Sequence, residues 1–313
     1  MLKSAEIVLK KCLDLKKSER LLIITDSKLY TIAKLFLKEA KRITDNIKLI
    51  KIPIPKVHGA EPGKNTAKEM LKYDVELLIT TKSLSHTKAR KNACDNGARI
   101  VTMPGITKNI IRRALDIDYG KLKKINNKIA NIIDKGKNVR IKTKLGTDIC
   151  FGIKGRKAYS DGGIYNKKGS FGNLPAGEVF IAPLEGTANG VFIVDASFGG
   201  VGKLKTPIEV YVKNGYAFQF NGEKAKKLEN LLGCAGKEAG NIAEFGIGTN
   251  ENAKITGNIL EDEKVKGTCH IALGNNAGFG GRVNVELHLD GIIKGPIIWV
   301  DKKKIMDKGI LTI

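Results

Sequence analysis

The feature that most restricts the fold of this chain is a change in its apolar pattern near Val139. Before that point, short β-branched runs alternate with segments whose apolar residues recur at helical spacing. The runs are LLIIT (21–25), IKLIKI (47–52), VELLIT (75–80) and RIVTM (99–103), and the helical segments are 28–43, 64–73 and 86–96. Such alternation is typical of buried parallel strands joined by crossover helices. It predicts an open, Rossmann-like α/β sheet domain at the N-terminus.

After Val139 the chain becomes rich in glycine, and apolar and polar residues alternate. The alternating segments are VRIKTKLG (139–146), VFIVDASFG (191–199) and IEVYVKNGY (208–216). Asn-Gly pairs at 214–215 and 221–222 indicate hairpins. A single helical pattern begins at Glu223. We therefore expect an α/β protein with three parts: an α/β sheet domain over 1–118, a connecting helix over 119–137, and a β-rich α+β metal-binding domain over 138–313.

The charge of the chain is strongly positive but unevenly distributed. The formal net charge is +23, and 34 of the 55 Lys and Arg residues lie in residues 1–150. Most of these are lysines with few aromatic residues among them, which favours a solvated surface over a nucleic-acid-binding face. The chain begins without a secretory signal and contains no apolar stretch of membrane-spanning length. We expect a cytoplasmic protein with neither a membrane nor a nucleic acid as its partner.

Nucleotide-binding and disulfide-rich classes are disfavoured by the motifs. No GxGxxG follows the first predicted strand, and the segment 197–204 resembles a P-loop but has Ser197 and Leu204 at two required positions. The five cysteines are scattered and form no CxxC pair, so neither a disulfide framework nor a zinc ribbon is predicted.

The distribution of basic residues in the second half suggests where a metal lies. Stretches without any Lys or Arg contain Glu178, Glu244, His270, His288 and Asp290. A site for divalent cations must exclude ammonium groups, which would produce such stretches. In the alternating run around 288–290, the histidine and the aspartate are two residues apart and share one face of a strand. This spacing predicts two ligands for one metal, although a hydrogen-bonded His–Asp pair has the same spacing.

The two glutamates at 178 and 244 are each flanked by apolar residues, so burying them without a partner would be costly. Because few basic residues are nearby in sequence, we expect metal ions to neutralise them. With Glu263 and Asp290 they supply four negative charges, which two divalent cations would balance. The carboxylate and imidazole donors suit zinc, cobalt, manganese or iron(II) better than copper.

Four segments in this region resemble the ordered motifs of the aminopeptidase T group of metallopeptidases. They are NLPAGEVF (173–180), AEFGIGTN (243–250), DEKVKGTCHIALG (262–274) and HLD (288–290). The resemblance implies that the metal ligands are Glu178, Glu263, His270, His288 and Asp290, with Glu244 as the catalytic base. It further implies two divalent metal ions, a peptide substrate with a free N-terminus, and a homodimer. The expected function is a metallo-aminopeptidase in which a metal-activated water attacks the first peptide bond.

The sequence departs from that family pattern in two places. Ala277 stands where the family has a tyrosine, and Glu263 is two residues further from His270 than in bacterial members. A ring-opening dihydroxypyridine dioxygenase also resembles this family. His270, His288 and Asp290 alone form the 2-His-1-carboxylate set typical of non-haem iron(II) oxygenases. The alternative function is therefore an iron(II) ring-cleaving dioxygenase.

Overall fold

A computed structural model describes residues 1–313 and contains eight α-helices and twenty β-strands. The helices are α1 (Leu2–Ile7), α2 (Tyr30–Ala40), α3 (Lys64–Met70), α4 (Lys88–Asp95), α5 (Lys108–Ala114), α6 (Tyr119–Lys135), α7 (Ala225–Ala235) and α8 (Ile259–Asp262). A π-helical turn, Val8–Cys12, follows α1, and 3₁₀ turns lie at Lys237–Gly240 and Ala277–Phe279. None of the helices has both the length and the apolar character needed to cross a bilayer.

The first ten strands are β1 (Leu21–Thr25), β2 (Ile47–Lys51), β3 (Val75–Ile79), β4 (Arg99–Thr102), β5 (Asn138–Lys142), β6 (Asp148–Gly152), β7 (Tyr159–Asp161), β8 (Phe171–Asn173), β9 (Glu178–Ile181) and β10 (Asn189–Val194). The remaining ten are β11 (Ser197–Phe198), β12 (Gly202–Lys203), β13 (Ile208–Lys213), β14 (Tyr216–Asn221), β15 (Ile242–Gly248), β16 (Thr268–Gly274), β17 (His288–Lys294), β18 (Ile297–Val300), β19 (Lys303–Asp307) and β20 (Ile310–Leu311).

The chain divides into two compact units. The N-terminal unit comprises Met1–Lys121 and Gly163–Ala176, and the C-terminal unit comprises Leu122–Gly162 and Gly177–Ile313. This division differs from the boundaries expected at 118 and 138. Most of α6 belongs to the C-terminal unit, because Ile129 and Ile133 are buried in that unit's core. The segment 163–176 belongs to the N-terminal unit, because it contains β8.

The N-terminal unit is built on a five-stranded sheet in the order β2-β1-β3-β4-β8, and all its strands are parallel. Strands β1, β3 and β4 are buried along their whole length, as their continuous apolar runs predict. The predicted α/β character is thus confirmed. The short β8 was not predicted, because its Phe-Gly-Asn sequence has no strand pattern; it forms where β4 offers backbone groups along an edge.

The C-terminal unit contains two antiparallel sheets that share one hydrophobic core. The eight-stranded sheet has the order β14-β13-β10-β6-β5-β18-β19-β20, and the seven-stranded sheet has the order β12-β11-β17-β16-β15-β9-β7. The rings of Phe151 on β6 and Phe245 on β15 lie 5.5 Å apart within the core. Because alternate residues of a strand point to opposite faces, the seven-stranded sheet presents a second set of side chains on its other face.

Candidate metal centre

Five of the six residues predicted to act in the site lie on that second face of the seven-stranded sheet. The residues opposite each other on neighbouring strands are Glu178 and Gly248, Gly246 and His270, Glu244 and Ala272, Ala272 and Asp290, and Gly274 and His288. The acidic and imidazole side chains thus alternate with glycine and alanine. The glycines allow close approach of other groups: a Cβ would lie 2.2 Å from the carbonyl oxygen of Val265 at Gly248 and 2.3 Å from that of Leu287 at Gly274.

The side-chain atoms of these five residues converge. Nε2 of His270 lies 3.4 Å from Oε2 of Glu178 and 3.2 Å from Oε1 of Glu244. Nε2 of His288 lies 3.4 Å from Oε2 of Glu244 and 3.3 Å from Oδ1 of Asp290. One ligand atom from each residue of the Glu178, Glu244, His270 group falls within 4.8 Å of the others, as does one from each residue of the Glu244, His288, Asp290 group. Glu244 is common to both groups.

Neighbouring polar atoms hold the ring of His288 and the backbone at Glu178, two of the residues predicted to bind metal. The backbone carbonyl of Asn275 lies 2.8 Å from Nδ1 of His288 and accepts its proton, which leaves Nε2 as the free donor atom for a metal. Beside Glu178, Nδ2 of the buried Asn126 donates to the backbone carbonyl of the glutamate at 3.0 Å. The hydroxyl of Thr249 donates in turn to Oδ1 of Asn126 at 2.7 Å. The asparagine thereby ties α6 to β9 and β15.

Gly246 makes the close approach of His270 possible. A Cβ at this position would lie 2.0 Å from Nε2 of the histidine, far inside van der Waals contact. The strand is central in its sheet, so its backbone has little freedom to move away. The glycine therefore sets the position of one predicted metal ligand.

We expect Gly246→Ala to lower the affinity for divalent ions by at least about tenfold, because the added methyl group forces His270 out of its orientation. Equilibrium dialysis of the metal-free protein measures this change. Gly233→Ala on α7 is the control, since a Cβ there meets nothing within 4 Å. Equal affinities for both variants would show that the position of His270 is not constrained by Gly246.

The buried carboxylates and imidazoles of the cluster form a set of donors that suits a cation. Burial alone would raise the pKa of Asp290 and of Glu244, but the imidazoles beside them outweigh burial and leave both pKa values below the usual range. Burial would lower the pKa of His270, yet its contacts with Glu244 and Glu178 raise that pKa to about 9. Oε2 of Glu178 is buried and has no hydrogen-bond donor. A divalent cation fits this set, because it would neutralise the carboxylates and use the unpaired oxygen.

One expectation about the site is wrong. Ammonium groups were expected to be excluded, yet Nζ of Lys264 lies 2.5 Å from Oε1 of Glu178 and 2.7 Å from Oε1 of Glu263. The lysine side chain is only 1% exposed. Lys264 is outside the stretches that lack basic residues and reaches the site through the fold. The only indication in the sequence that Lys264 lies in the site is its position directly after two acidic residues and shortly before the buried strand β16.

The acidic pair at 262 and 263 has two different environments. Asp262 accepts hydrogen bonds from Oγ of Ser197 at 2.7 Å and from the backbone N–H groups of Thr256 and Gly257 at 2.7 and 2.8 Å. It therefore anchors a loop. Glu263, the sixth predicted residue, pairs with Lys264 and is absent from both groups of converging ligand atoms. Burial raises the pKa of Glu263 well above its usual range, and the nearby ammonium only partly offsets this.

A row of aromatic rings borders the cluster and was not predicted. Phe180 follows Glu178 by two residues and stacks on Tyr159, with ring centroids 5.2 Å apart. Phe279 packs edge-on against Phe180 at 5.6 Å and against the ring of His288 at 5.8 Å. The position of Phe180 could have been predicted from the period of two along β9, which places it on the same face as Glu178. The site thus combines a charged centre with an aromatic border.

Comparison with known proteins assigns the chain to a family. The family model of NicX, 2,5-dihydroxypyridine 5,6-dioxygenase, matches residues 1–313. A 2,5-dihydroxypyridine 5,6-dioxygenase of Pseudomonas putida KT2440 is 21% identical over 265 residues, which cover 78% of this chain and 73% of that protein.

Two solved structures have a similar fold. The structure of 2,5-dihydroxypyridine dioxygenase from Pseudomonas putida KT2440 has a TM-score of 0.86 at 17% identity, covering 99% of this chain and 96% of that one. Wild-type AmpT from Thermus thermophilus has a TM-score of 0.76 at 16% identity, covering 100% and 98%. At such identities these structures support the predicted two-domain α/β architecture. The similarity to AmpT supports the resemblance to the aminopeptidase T group at the level of fold. Because the family match extends over the whole chain, the protein belongs to the NicX family of 2,5-dihydroxypyridine 5,6-dioxygenases.

Proposed function

We propose that the protein is a non-haem iron(II) dioxygenase that opens the ring of a dihydroxylated aromatic heterocycle such as 2,5-dihydroxypyridine. The observation that carries this proposal is the position of His270, His288 and Asp290 on one face of two paired strands, β16 and β17. These three residues form the donor set that non-haem iron oxygenases use. The family match supports the ring-opening reaction over the expected aminopeptidase activity.

The donor set fits iron(II) as the resident metal. Held by His270, His288 and Asp290, iron(II) would supply the redox chemistry that joins dioxygen to an aromatic ring. The fixed tautomer of His288 keeps its Nε2 available for this role. The low pKa of Asp290 keeps this carboxylate ionised, as a metal ligand must be.

In this proposal Glu244 acts as the general base toward the substrate. Its carboxylate lies between the Nε2 atoms of the two histidines, and its lowered pKa keeps it ionised at neutral pH. A ring hydroxyl bound beside the metal ligands would give its proton to an Oε atom of this carboxylate. Loss of the proton makes the ring more electron-rich, which favours its oxidation.

The aromatic row suits a flat substrate. Phe180 and Phe279 are each partly exposed and meet edge to face, so a planar ring can stack on one and meet the edge of the other. The contact between Phe279 and His288 brings this surface next to the proposed metal ligands.

A second candidate is a metallo-aminopeptidase, favoured by the two further buried carboxylates, Glu178 and Glu244, beside the three iron ligands. A hydrolase with two zinc, cobalt or manganese ions uses carboxylates of this kind, and Glu244 would then act as base toward a water. Its substrate would be a peptide with a free N-terminus. The alanine at position 277, where that family has a tyrosine, argues against this candidate.

The experiment that separates the two functions loads the metal-free protein anaerobically with iron(II) or with zinc, cobalt or manganese. We expect oxygen consumption and loss of the ring absorbance of 2,5-dihydroxypyridine with iron(II) alone. Release of reporters from a panel of aminoacyl substrates with the other metals, and no oxygen consumption, would contradict the dioxygenase proposal. The metal-free protein is the control for both assays.

A further inference from the structure

The loop of residues 275–287, which joins β16 to β17, makes two separate contacts with His288. The backbone carbonyl of Asn275 accepts the proton of Nδ1 at 2.8 Å, and the ring of Phe279 packs edge-on against the imidazole at 5.8 Å. Phe279 also meets Phe180 at 5.6 Å. The conformation of this loop therefore determines where the aromatic border lies relative to the proposed metal ligands.

The two contacts are held in different ways. Asn275 is held where the loop returns toward β17, since its N–H donates to the carbonyl of Leu287 at 2.7 Å and its Nδ2 to the carbonyl of Val285 at 2.9 Å. Phe279 lies further out, in the 3₁₀ turn that begins after Asn276. A change that releases the phenylalanine can thus leave in place the carbonyl that orients the imidazole.

The outer part of the loop closes around a buried asparagine. Asn276 is 0% exposed, its N–H donates to the carbonyl of Val283 at 3.0 Å, and its Oδ1 accepts from the N–H of Val283 at 2.9 Å. The carbonyl of Asn276 accepts from the N–H of Gly281 at 2.9 Å. Nδ2 of the same residue donates to Oε1 of Glu185, outside the loop, at 3.0 Å. The stretch that carries Phe279 is therefore tied to Glu185 through Asn276.

Glu185 holds this stretch on both sides of the phenylalanine. Oε1 of Glu185 accepts from Asn276 and also, at 2.8 Å, from the backbone N–H of Arg282. The other oxygen, Oε2, pairs with the guanidinium of Arg156, which lies between β6 and β7. Burial would raise the pKa of Glu185, but hydrogen bonds from backbone N–H groups and the charge of Arg156 leave that pKa below its usual range. The carboxylate is therefore an anion, and its hydrogen bonds to the loop are charge-assisted.

We propose that Glu185 is a positioning residue for the substrate: by holding the 275–287 loop, its carboxylate keeps Phe279 where a flat ring can bind beside His288. The inference rests on the proposed function, because it assigns Phe279 to the binding of an aromatic substrate. Glu185 is absent from both groups of converging ligand atoms. Its loss should therefore weaken substrate binding and leave the bound metal and the chemical step unchanged.

The test is a double-mutant cycle with KM as its main readout. Glu185→Ala, Phe279→Ala and the double variant are loaded anaerobically with iron(II), and oxygen consumption is measured against the concentration of 2,5-dihydroxypyridine. We expect Glu185→Ala to raise KM about three- to tenfold, the effect of losing one aromatic contact, and to change kcat by less than about twofold. The double variant should have the KM of Phe279→Ala alone, because the glutamate acts through that phenylalanine.

A second measurement follows the loop without any turnover. Amide hydrogen exchange of residues 276–283 should be faster in Glu185→Ala than in the wild type, and Glu185→Gln, which keeps an acceptor oxygen, should restore part of the protection. The matched control is Glu209→Ala. This half-buried glutamate on β13 accepts hydrogen bonds from Tyr211 and Asn221 in the eight-stranded sheet. Its loss should change neither KM nor the exchange of the loop.

A wild-type KM for Glu185→Ala, a loss of kcat at unchanged KM, or additive effects in the double variant would overturn the inference. Loss of bound iron from Glu185→Ala would contradict it as well. If the wild type does not open the ring, the proposed function fails, and the exchange of residues 276–283 alone decides whether Glu185 holds the loop. If Glu185→Ala does not fold, Glu185→Gln takes its place: a raised KM with faster exchange supports the inference, and wild-type values overturn it.

Discussion

His288→Ala should abolish both metal binding and turnover while leaving the fold intact. The imidazole Nε2 lies within 3.4 Å of Glu244 and Asp290, so its loss removes a proposed ligand from the centre. Removing even a residue that only orients a ligand costs about 10- to 100-fold in metal affinity, and a ligand itself should cost at least about 100-fold. Because this side chain is 30% exposed, its truncation leaves no closed cavity.

The measurement combines elemental analysis of the purified variant, circular dichroism and the oxygen-consumption assay. His58→Ala provides the matched control, because this histidine lies in the N-terminal unit and accepts a hydrogen bond from the N–H of Ser83. That variant should keep its metal and its activity. A His288→Ala protein with wild-type metal content would remove this residue from the ligand set.

Glu76→Met should stabilise the N-terminal unit by about 2 kcal/mol near neutral pH, which is the order of the cost of a buried polar group without a partner. Glu76 lies on β3 between Leu22 and Ile100, is fully buried, and neither carboxylate oxygen has a hydrogen bond. Burial raises the pKa of this carboxyl well above its usual value. Methionine has a similar shape and no group to desolvate.

The gain should depend on pH in a defined direction. The pKa of Glu76 is higher in the folded protein than in the unfolded chain. The contribution of this carboxyl to stability is therefore fully present at pH values below its unfolded pKa, and it is lost as the pH rises through its folded pKa. The advantage of Glu76→Met should therefore be larger at pH 8 than at pH 5 in urea unfolding. Glu39→Met, which removes a buried glutamate that pairs with Arg42, is the control and should bring no gain. A pH-independent difference would contradict the assigned cause.

Local patterns predicted most of the fold and the centre of the site. The continuous apolar runs placed β1 to β4 within one or two residues, and the period of two placed His288 and Asp290 on one face. The α/β class and the antiparallel second half follow from the same patterns. The helix pattern from Glu223 became α7 and a 3₁₀ turn.

The remaining features depend on contacts between distant parts of the chain. The sequence pattern does not show that Lys264 turns inward to meet Glu178, 86 residues away, because that depends on how β15 packs against the preceding segment. Likewise, β8 is a strand only because β4 lies beside it. Helices α1 and α5 were not predicted, and their short apolar patterns carry little signal.

The order in which the segments of the two units follow one another affects how the protein is made. The chain completes the five-stranded sheet with β8, after it has already contributed α6, β5, β6 and β7 to the other unit. On the ribosome, about seventy residues are therefore synthesised between β4 and β8, its last neighbour in the sheet. This synthesis takes roughly four to fourteen seconds at bacterial or eukaryotic elongation rates. A gene fragment that ends near residue 138 would encode a sheet in which the edge of β4 is unpaired. We expect such fragments to be bound by chaperones instead of folding unaided.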